Sequence, residues 1–293
     1  MRENIAMHFV QAKGILSQNN GMNIYRGCSH GCIYCDSRSK CYGFTHAFED
    51  IEVKENAPEL LEQALRSKRH KCMIGTGAMC DPYLPAEKEL QLTRKCLKLI
   101  DRYEYGVTVL TKSNLVLRDL DLLQSIHKKT KAVVQMTLTT YDEDLCRKLE
   151  PNVSTTRERF EVLMRCKELG IPTLVWMTPI LPFINDTRKN IEGLLDYCLQ
   201  AGVQGILVFD VGVTLREGDR EYFYQALDRD FPGIRQKYIS TYGNAYDIPS
   251  PHAKELMALI QNTCTANGML CSPKECFTYL HEFPERYVQQ TLF

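Results

Sequence analysis

The sequence predicts an α/β fold, a partial (β/α)6 barrel of the TIM type with a C-terminal helical extension. Three observations point there. Six short apolar or β-branched runs alternate with amphipathic, helix-length stretches, the order expected of βαβ units with right-handed crossovers and a parallel sheet. Glycine and proline punctuate the pattern, as at the fifth run, which opens after a glycine stop and is ended by Pro179 and Pro182. At 293 residues the chain can bury one large core, and no internal repeat or low-complexity linker divides it.

The first strand is read in "MNIYRG" (22–27), which leads into a cysteine-rich loop, and the first helix in "APELLEQALR" (57–66), with Leu60, Leu61, Ala64 and Leu65 on one face. "KCMIGTGAMCD" (71–81) reads as a buried strand ending in a loop, followed by a helix through "EKELQLTRKCLKLIDRY" (87–103). "YGVTVLTKS" (105–113) and a helix around "LRDLDLLQSIHKK" (117–129) come next. Then follow the strand "KAVVQMTLTT" (131–140) and a helix over about 155–169. The fifth strand, "GIPTLVWMTPI" (170–180), opens after a glycine stop, and Pro179 and Pro182 end it. The helix "NIEGLLDYCLQAG" (190–202) and the strand "GILVFDVG" (205–212) complete the sixth unit. Residues 1–215 are therefore expected to form the barrel core. Residues 216–293, with helices such as "HAKELMALIQNTC", are expected to cap the same domain.

Composition narrows the function. Lys plus Arg equals Asp plus Glu at 36 each, so the formal net charge is zero, which argues against broad, sequence-blind nucleic-acid binding. The start "MRENIAMHFVQAKGIL" lacks the apolar run of a signal peptide, and nothing approaches the roughly 20 apolar residues that span a bilayer. A cytoplasmic protein is expected. In a reducing compartment its thirteen cysteines, an odd number, are not a disulfide set.

Helical periodicity absorbs four of them. Cys198 continues the stripe Ile191, Leu194, Leu195; Cys166 lies with Val162, Leu163 and Leu169; Cys96 with Leu92 and Leu99; Cys264 with Leu256, Leu259 and Ile260. These read as core residues, as do Cys72 and Cys146. Cys28, Cys32 and Cys35 fit no stripe. They form CxxxCxxC on a short loop where Gly27 and Gly31 let the backbone wrap closely, so three thiolates can converge on one site. Structural zinc would normally want a fourth ligand and a second CxxC, which the chain lacks. Cys41 is available as a fourth ligand; a [4Fe-4S] cluster held by three thiolates needs none.

On these residues the chain resembles the radical S-adenosylmethionine (radical SAM) superfamily. Its signature is CxxxCxxC after the first strand of a partial barrel, with an aromatic residue before the third cysteine, here Tyr34. Within it the chain is similar to the spore photoproduct lyase-like group, also labelled DNA repair photolyases. The similarity runs through "NIYRGCSHGCIYCDSR", "GTGAMCDPYLPAEKELQLTR", "LEPNVSTTRERFEVLMRCKELGIPTLVWMTPILPFIND" and "FPERYVQQTLF". The resemblance implies a [4Fe-4S] cluster on Cys28, Cys32 and Cys35, whose open iron is chelated by S-adenosylmethionine. It also implies an external reductant such as a flavodoxin or ferredoxin, and reductive cleavage to methionine and a 5′-deoxyadenosyl radical that abstracts hydrogen from substrate. By the same resemblance Tyr34 contacts the adenine. "GTGAMCD", with Thr76, Gly77 and Asp81, meets the methionine end, and "VWMTPI" lines the adenosine.

Two departures stand against a lyase substrate. The lyases pair the tyrosine before the third cysteine with one just after it, where this chain has Asp36. They also use a cysteine beyond the second strand as hydrogen donor; Cys80 lies in that loop, but aligning Asp81 with the lyase acid brings Ala78 nearer the donor position. Cys80, at a strand end facing the expected site, is nonetheless a candidate hydrogen donor, its bland alternative being a small buried residue. His30 and Arg26 are candidates for shaping the loop or bonding a cluster sulfur. Asp81, Glu87 and Asp210 stand at loop ends within substrate reach, Glu87 equally as a helix cap. Cys271 and Cys276 are a weaker candidate pair for an auxiliary cluster. Three function classes follow: a radical SAM enzyme acting on a nucleic-acid lesion, or on a peptide or small molecule; a non-catalytic zinc or iron-sulfur module; and a nucleic-acid binding module without chemistry.

Overall fold

The computed structural model describes residues 6–284. The last stretch of the sequence likeness, "FPERYVQQTLF" (283–293), lies outside them from residue 285 onward. Six strands form one all-parallel sheet in chain order: β1 (Gly21–Met22), β2 (Met73–Thr76), β3 (Gly106–Thr111), β4 (Ala132–Thr137), β5 (Thr173–Trp176) and β6 (Gly205–Leu207). Each strand pairs with the next, and among the described residues β1 and β6 do not pair, so the barrel is partial. β4 is buried at every position, which is why its sequence reads as a near-continuous apolar run rather than an alternating one.

Five helices cover the outside: α1 (Ala57–Ser67), α2 (Leu92–Arg102), α3 (Leu120–Lys129), α4 (Thr156–Glu168) and α5 (Arg188–Ala201). Their stripes face the sheet as periodicity demands; α2 buries Leu92, Cys96, Leu97 and Ile100, and α5 buries Ile191, Leu194, Leu195 and Cys198. Cys96, Cys166, Cys198 and Cys264 are all fully buried, the core role expected of them. Thr155 and Glu158 close a capping box at the start of α4, and Gly202, at φ 64°, ends α5.

The structure departs from the sequence reading at element edges. The segment 22–27 is not one strand. Gly21–Met22 joins the barrel, while Tyr25–Arg26 turns away to pair antiparallel with Ile51–Lys54, which also pairs parallel with Met7–Val10. The helix expected over 87–103 breaks at Gln91 (φ 52°), because the buried Glu87 carboxylate turns inward to accept the amides of Thr93 and Arg94 and cap α2. Glu87 is thus a structural cap, bonded also by Tyr25 and Arg118, and not a substrate contact. The last strand stops at Leu207, and Gly212–Thr214 pairs antiparallel with Asp247–Pro249.

Four further helices follow: α6 (Asp219–Asp230), α7 (Ile234–Tyr242), α8 (Ala253–Ala266) and α9 (Pro273–His281). α9 lays Cys276 and Leu280 against Val133, Leu174 and Leu207 of the sheet. α6 and α7 bring Phe223, Leu227 and Tyr238 into a second core shared with Cys32, Ile33 and Tyr34, so the C-terminal helices support the cysteine loop directly.

Candidate active site

The carboxyl ends of the strands open into a cavity of about 490 Å³, within the usual range for small-molecule sites. Cys28, Cys32 and Cys35 line it on one side, with His30, Tyr34 and Asp36. Gly77, Ala78, Met79, Cys80 and Asp81 come from the end of β2, Thr111 and Lys112 from β3, Trp176, Thr178 and Pro179 from β5, and Phe209 and Asp210 from beyond β6. Loops at this end of a barrel converge because every parallel strand delivers its carboxyl terminus to the same face.

The cysteine loop is held from three directions. Cys28 donates its backbone N–H to the Phe48 carbonyl at 2.9 Å, and a side chain at Gly27 (φ 86°) would sit 2.6 Å from that oxygen. Ile33 donates to the Leu149 carbonyl at 3.0 Å and Asn152 to the His30 carbonyl at 3.1 Å. Buried Tyr34 donates its hydroxyl to Glu150, which is ion-paired with Arg159, both side chains fully buried. Arg159 also donates to the carbonyls of Thr137 (3.0 Å) and Ser154 (2.7 Å), so the pair carries the hydrogen bonds that burial of charge demands.

Asp81 is a second knot. It accepts from the Tyr83 amide at 2.8 Å, the Thr111 hydroxyl at 2.7 Å and the Lys112 amide at 2.8 Å, with His30 Nδ1 at 3.6 Å. The carboxylate therefore ties the β2 and β3 loops to the cysteine loop. Burial pushes the His30 pKa down, with Asp81 opposing, so the imidazole is held towards its neutral form. A Cβ at Gly77 (φ 100°) would meet the Leu110 carbonyl at 1.9 Å; only glycine lets the loop after β2 pass this close to β3. Thr76 is buried and does not line the cavity, whereas Gly77 does.

Lys112, absent from the sequence-based candidates, lines the cavity among the thiols. Burial works against its charge, but Cys32 and Glu150 outweigh that and raise its pKa. Burial raises the Cys28 thiol to about 12 and lifts Cys32 and Cys35 as well, while Lys112 pulls all three down. A buried ammonium facing a cavity calls for an anion. The only sequence signal for it is a lysine directly after a barrel strand.

The donor set fits a polynuclear cluster better than one ion. The three sulfurs do not all lie within 4.8 Å of one another, whereas thiolates on a single tetrahedral zinc sit about 3.8 Å apart. Cys41 is exposed, accepts from Arg216 at 3.7 Å and is not part of the cavity lining. Arg26 is engaged by the Tyr42 and Gly43 carbonyls and lies over Phe44, so it braces the following loop. Cys276 donates to the Ile206 carbonyl at 3.8 Å from within the helix–sheet core, separate from the cavity. Cys80 is buried at the cavity wall, and its thiol donates to the Gly27 carbonyl at 2.8 Å.

Against known proteins, the radical SAM superfamily matches residues 22–198, more than half of the chain, from Met22 in β1 to Cys198 within α5. The chain belongs to the radical SAM superfamily. Radical SAM proteins use a [4Fe-4S] cluster and S-adenosylmethionine, and these are its cofactors. Uncharacterized protein Rv2578c of Mycobacterium tuberculosis is 28% identical over 249 residues, 80% of this chain and 70% of that one. Uncharacterized protein MJ0683 of Methanocaldococcus jannaschii is 34% identical over 169 residues, covering 57% and 62%. Among solved structures, spore photoproduct lyase complexed with dinucleoside spore photoproduct superimposes with a TM-score of 0.64 at 13% identity, over 90% of this chain and 81% of its own. A variant of that lyase with bound AdoMet and the same dinucleoside gives 0.59 at 14% identity, over 86% and 75%. The partial radical SAM barrel read from the sequence is thus the fold the chain adopts. No helix among the described residues is long and apolar enough to cross a membrane.

Proposed function

We propose that this radical SAM protein is an enzyme in which Cys28, Cys32 and Cys35 hold three irons of the [4Fe-4S] cluster. When bound and reduced by a flavodoxin- or ferredoxin-like donor, that cluster would supply the electron for cleavage of S-adenosylmethionine to methionine and a hydrogen-abstracting 5′-deoxyadenosyl radical. The observation that carries this reading is that the three thiols and Lys112 line the same cavity, with Lys112 acting electrostatically on each thiol. Lys112 offers the cation for the methionine carboxylate. Gly77 offers close backbone approach, and Asp81 holds the Lys112 amide and His30 in place rather than binding cofactor by itself. Tyr34, its hydroxyl committed to Glu150, presents its ring to the cavity, with Trp176 and Pro179 on the β5 side. Cys80 takes the role of thiol hydrogen donor.

Phe209 is 55% exposed and stands edge-on to Trp176 at 6.0 Å, leaving an aromatic lip on the cavity. Such a lip suits a planar, flipped-out base, so a lesion in nucleic acid is the substrate reading we favour over a peptide or small molecule.

The test is anaerobic reconstitution with iron and sulfide, reduction, and assay of 5′-deoxyadenosine with and without lesion-bearing oligonucleotides. About four irons per chain and 5′-deoxyadenosine formation, both lost in Cys32→Ala, are expected. Bound zinc without iron, or a cluster that never cleaves S-adenosylmethionine, would return the chain to the non-catalytic reading. Cleavage stimulated by peptides but not oligonucleotides would overturn the substrate reading alone.

A further inference from the structure

A second group of ligands stands outside the cavity, on the three-stranded sheet beside the barrel. His8 and Glu52 are register partners in its parallel strand pair, so their side chains emerge on the same face. His46, from the loop following the cysteines, folds over that face, its ring edge-on to that of His8 at 4.8 Å. Ligand atoms of His8, His46 and Glu52 all lie within 4.8 Å of one another.

The hydrogen bonds fix which nitrogens are available. His46 Nδ1 is 2.9 Å from the Ala47 carbonyl, and a carbonyl can only accept, so Nδ1 carries the proton and Nε2 a lone pair. That Nε2 is buried without a hydrogen-bond partner, 4.0 Å from Glu52 Oε2. His8 Nδ1 lies 3.1 Å from Asp50 Oδ2, which likewise leaves Nε2 as its free nitrogen. A carboxylate or carbonyl behind each imidazole is the support that orients metal-bound histidines and raises their basicity. Arg26, Cα partner of Glu52 on the neighbouring strand, is the cation that would oppose a metal, but its guanidinium is engaged by Tyr42 and Gly43 and stacked on Phe44.

We propose that His8, His46 and Glu52 form a mononuclear site for a divalent transition ion of the zinc type, with water completing the coordination. Bonds of about 2.0–2.2 Å bring tetrahedral ligand atoms to roughly 3.4 Å apart, so the 4.0 Å gap closes by rotamer adjustment. The site is half-open through His8, whose side chain is 40% exposed, which gives the ion an entry path. Its consequence lies next door. The loop carrying His46 also carries Phe48, whose carbonyl accepts the Cys28 amide, so an ion here would pin the N-terminal strand to the backbone that carries the first cluster thiol.

The experiment is zinc titration of the cluster-loaded protein, with zinc-edge X-ray absorption on the product. One zinc per chain is expected, in a nitrogen and oxygen shell at about 2.0–2.1 Å. Binding should be at least tenfold weaker in each of His46→Gln and Glu52→Gln, variants chosen because both keep side-chain size, with iron content and circular dichroism matching the parent. A sulfur shell at about 2.3 Å would assign the ion to cysteine and overturn the proposal, as would binding unchanged in both variants or no retained zinc.

Discussion

Tyr34, the residue before the third cysteine, donates its hydroxyl to the buried carboxylate of Glu150, 116 positions along the chain. That bond joins the cysteine loop to the segment between β4 and α4, and the Glu150–Arg159 pair lies fully buried behind the cavity lining. Glu150 stays ionised despite burial, which alone would raise its pKa, because Arg159 and Lys112 lower it further.

Removing one member of this pair leaves a stranded charge. Glu150→Gln should lose about 3–5 kcal/mol of unfolding free energy, since Arg159 would remain buried without its counterion. Tyr34→Phe, which costs only a neutral donor, should lose about 1–3 kcal/mol. Urea unfolding of the two variants checks the ranking; equal losses would deny the pair its role.

Lys112→Met should leave iron content unchanged and weaken S-adenosylmethionine binding roughly 10–100-fold, the worth of one charged hydrogen bond of about 1.5–3 kcal/mol. Calorimetric titration of the reconstituted protein measures it. Unchanged affinity would mean that Lys112 serves the thiols alone.

Asp81→Ala frees the Thr111 hydroxyl and the amides of Tyr83 and Lys112 in a buried setting, so it should destabilise by about 2–3 kcal/mol and lower cluster occupancy. Asp81→Asn, which keeps an acceptor oxygen, should recover part of both. Thermal melts and iron assays on the two variants decide it.

Cys80→Ala should keep the cluster and 5′-deoxyadenosine formation while losing hydrogen return to substrate, because a donor acts after cofactor cleavage. If Cys80 only pins Gly27, then Cys80→Ser, which keeps a donor to that carbonyl, restores full turnover. Deuterium incorporation into product separates the two.

Asp219, nearly fully buried at the start of α6, has its pKa raised from 3.8 to about 6 by burial, and its Oδ2 has no partner. A folded pKa above the unfolded one gives stability that is full below pH 3.8 and lost as pH rises through about 6. Asp219→Asn should therefore stabilise the protein by about 1–2 kcal/mol above pH 7, an advantage that shrinks as pH falls through 6 to 4. Denaturant melts at three pH values follow the trend.

The sequence by itself determined what is local. Spacing gave the CxxxCxxC loop, helical periodicity gave the buried stripes that claim Cys96, Cys166, Cys198 and Cys264, and the strand–helix alternation gave the parallel partial barrel. These are readable because 3.6-residue and 2-residue repeats, and ligands a few positions apart, are properties of neighbouring residues. Local pattern failed where a distant partner competed: Glu87 broke an expected helix by capping the next one, and segment 22–27 divided between two sheets. Only the tertiary structure decided that Lys112, Glu150 and Arg159 surround the cysteines, or that His8, His46 and Glu52 share a face. Those neighbours are set by strand order and register, and a charge becomes consequential only when burial removes the water that would otherwise screen it.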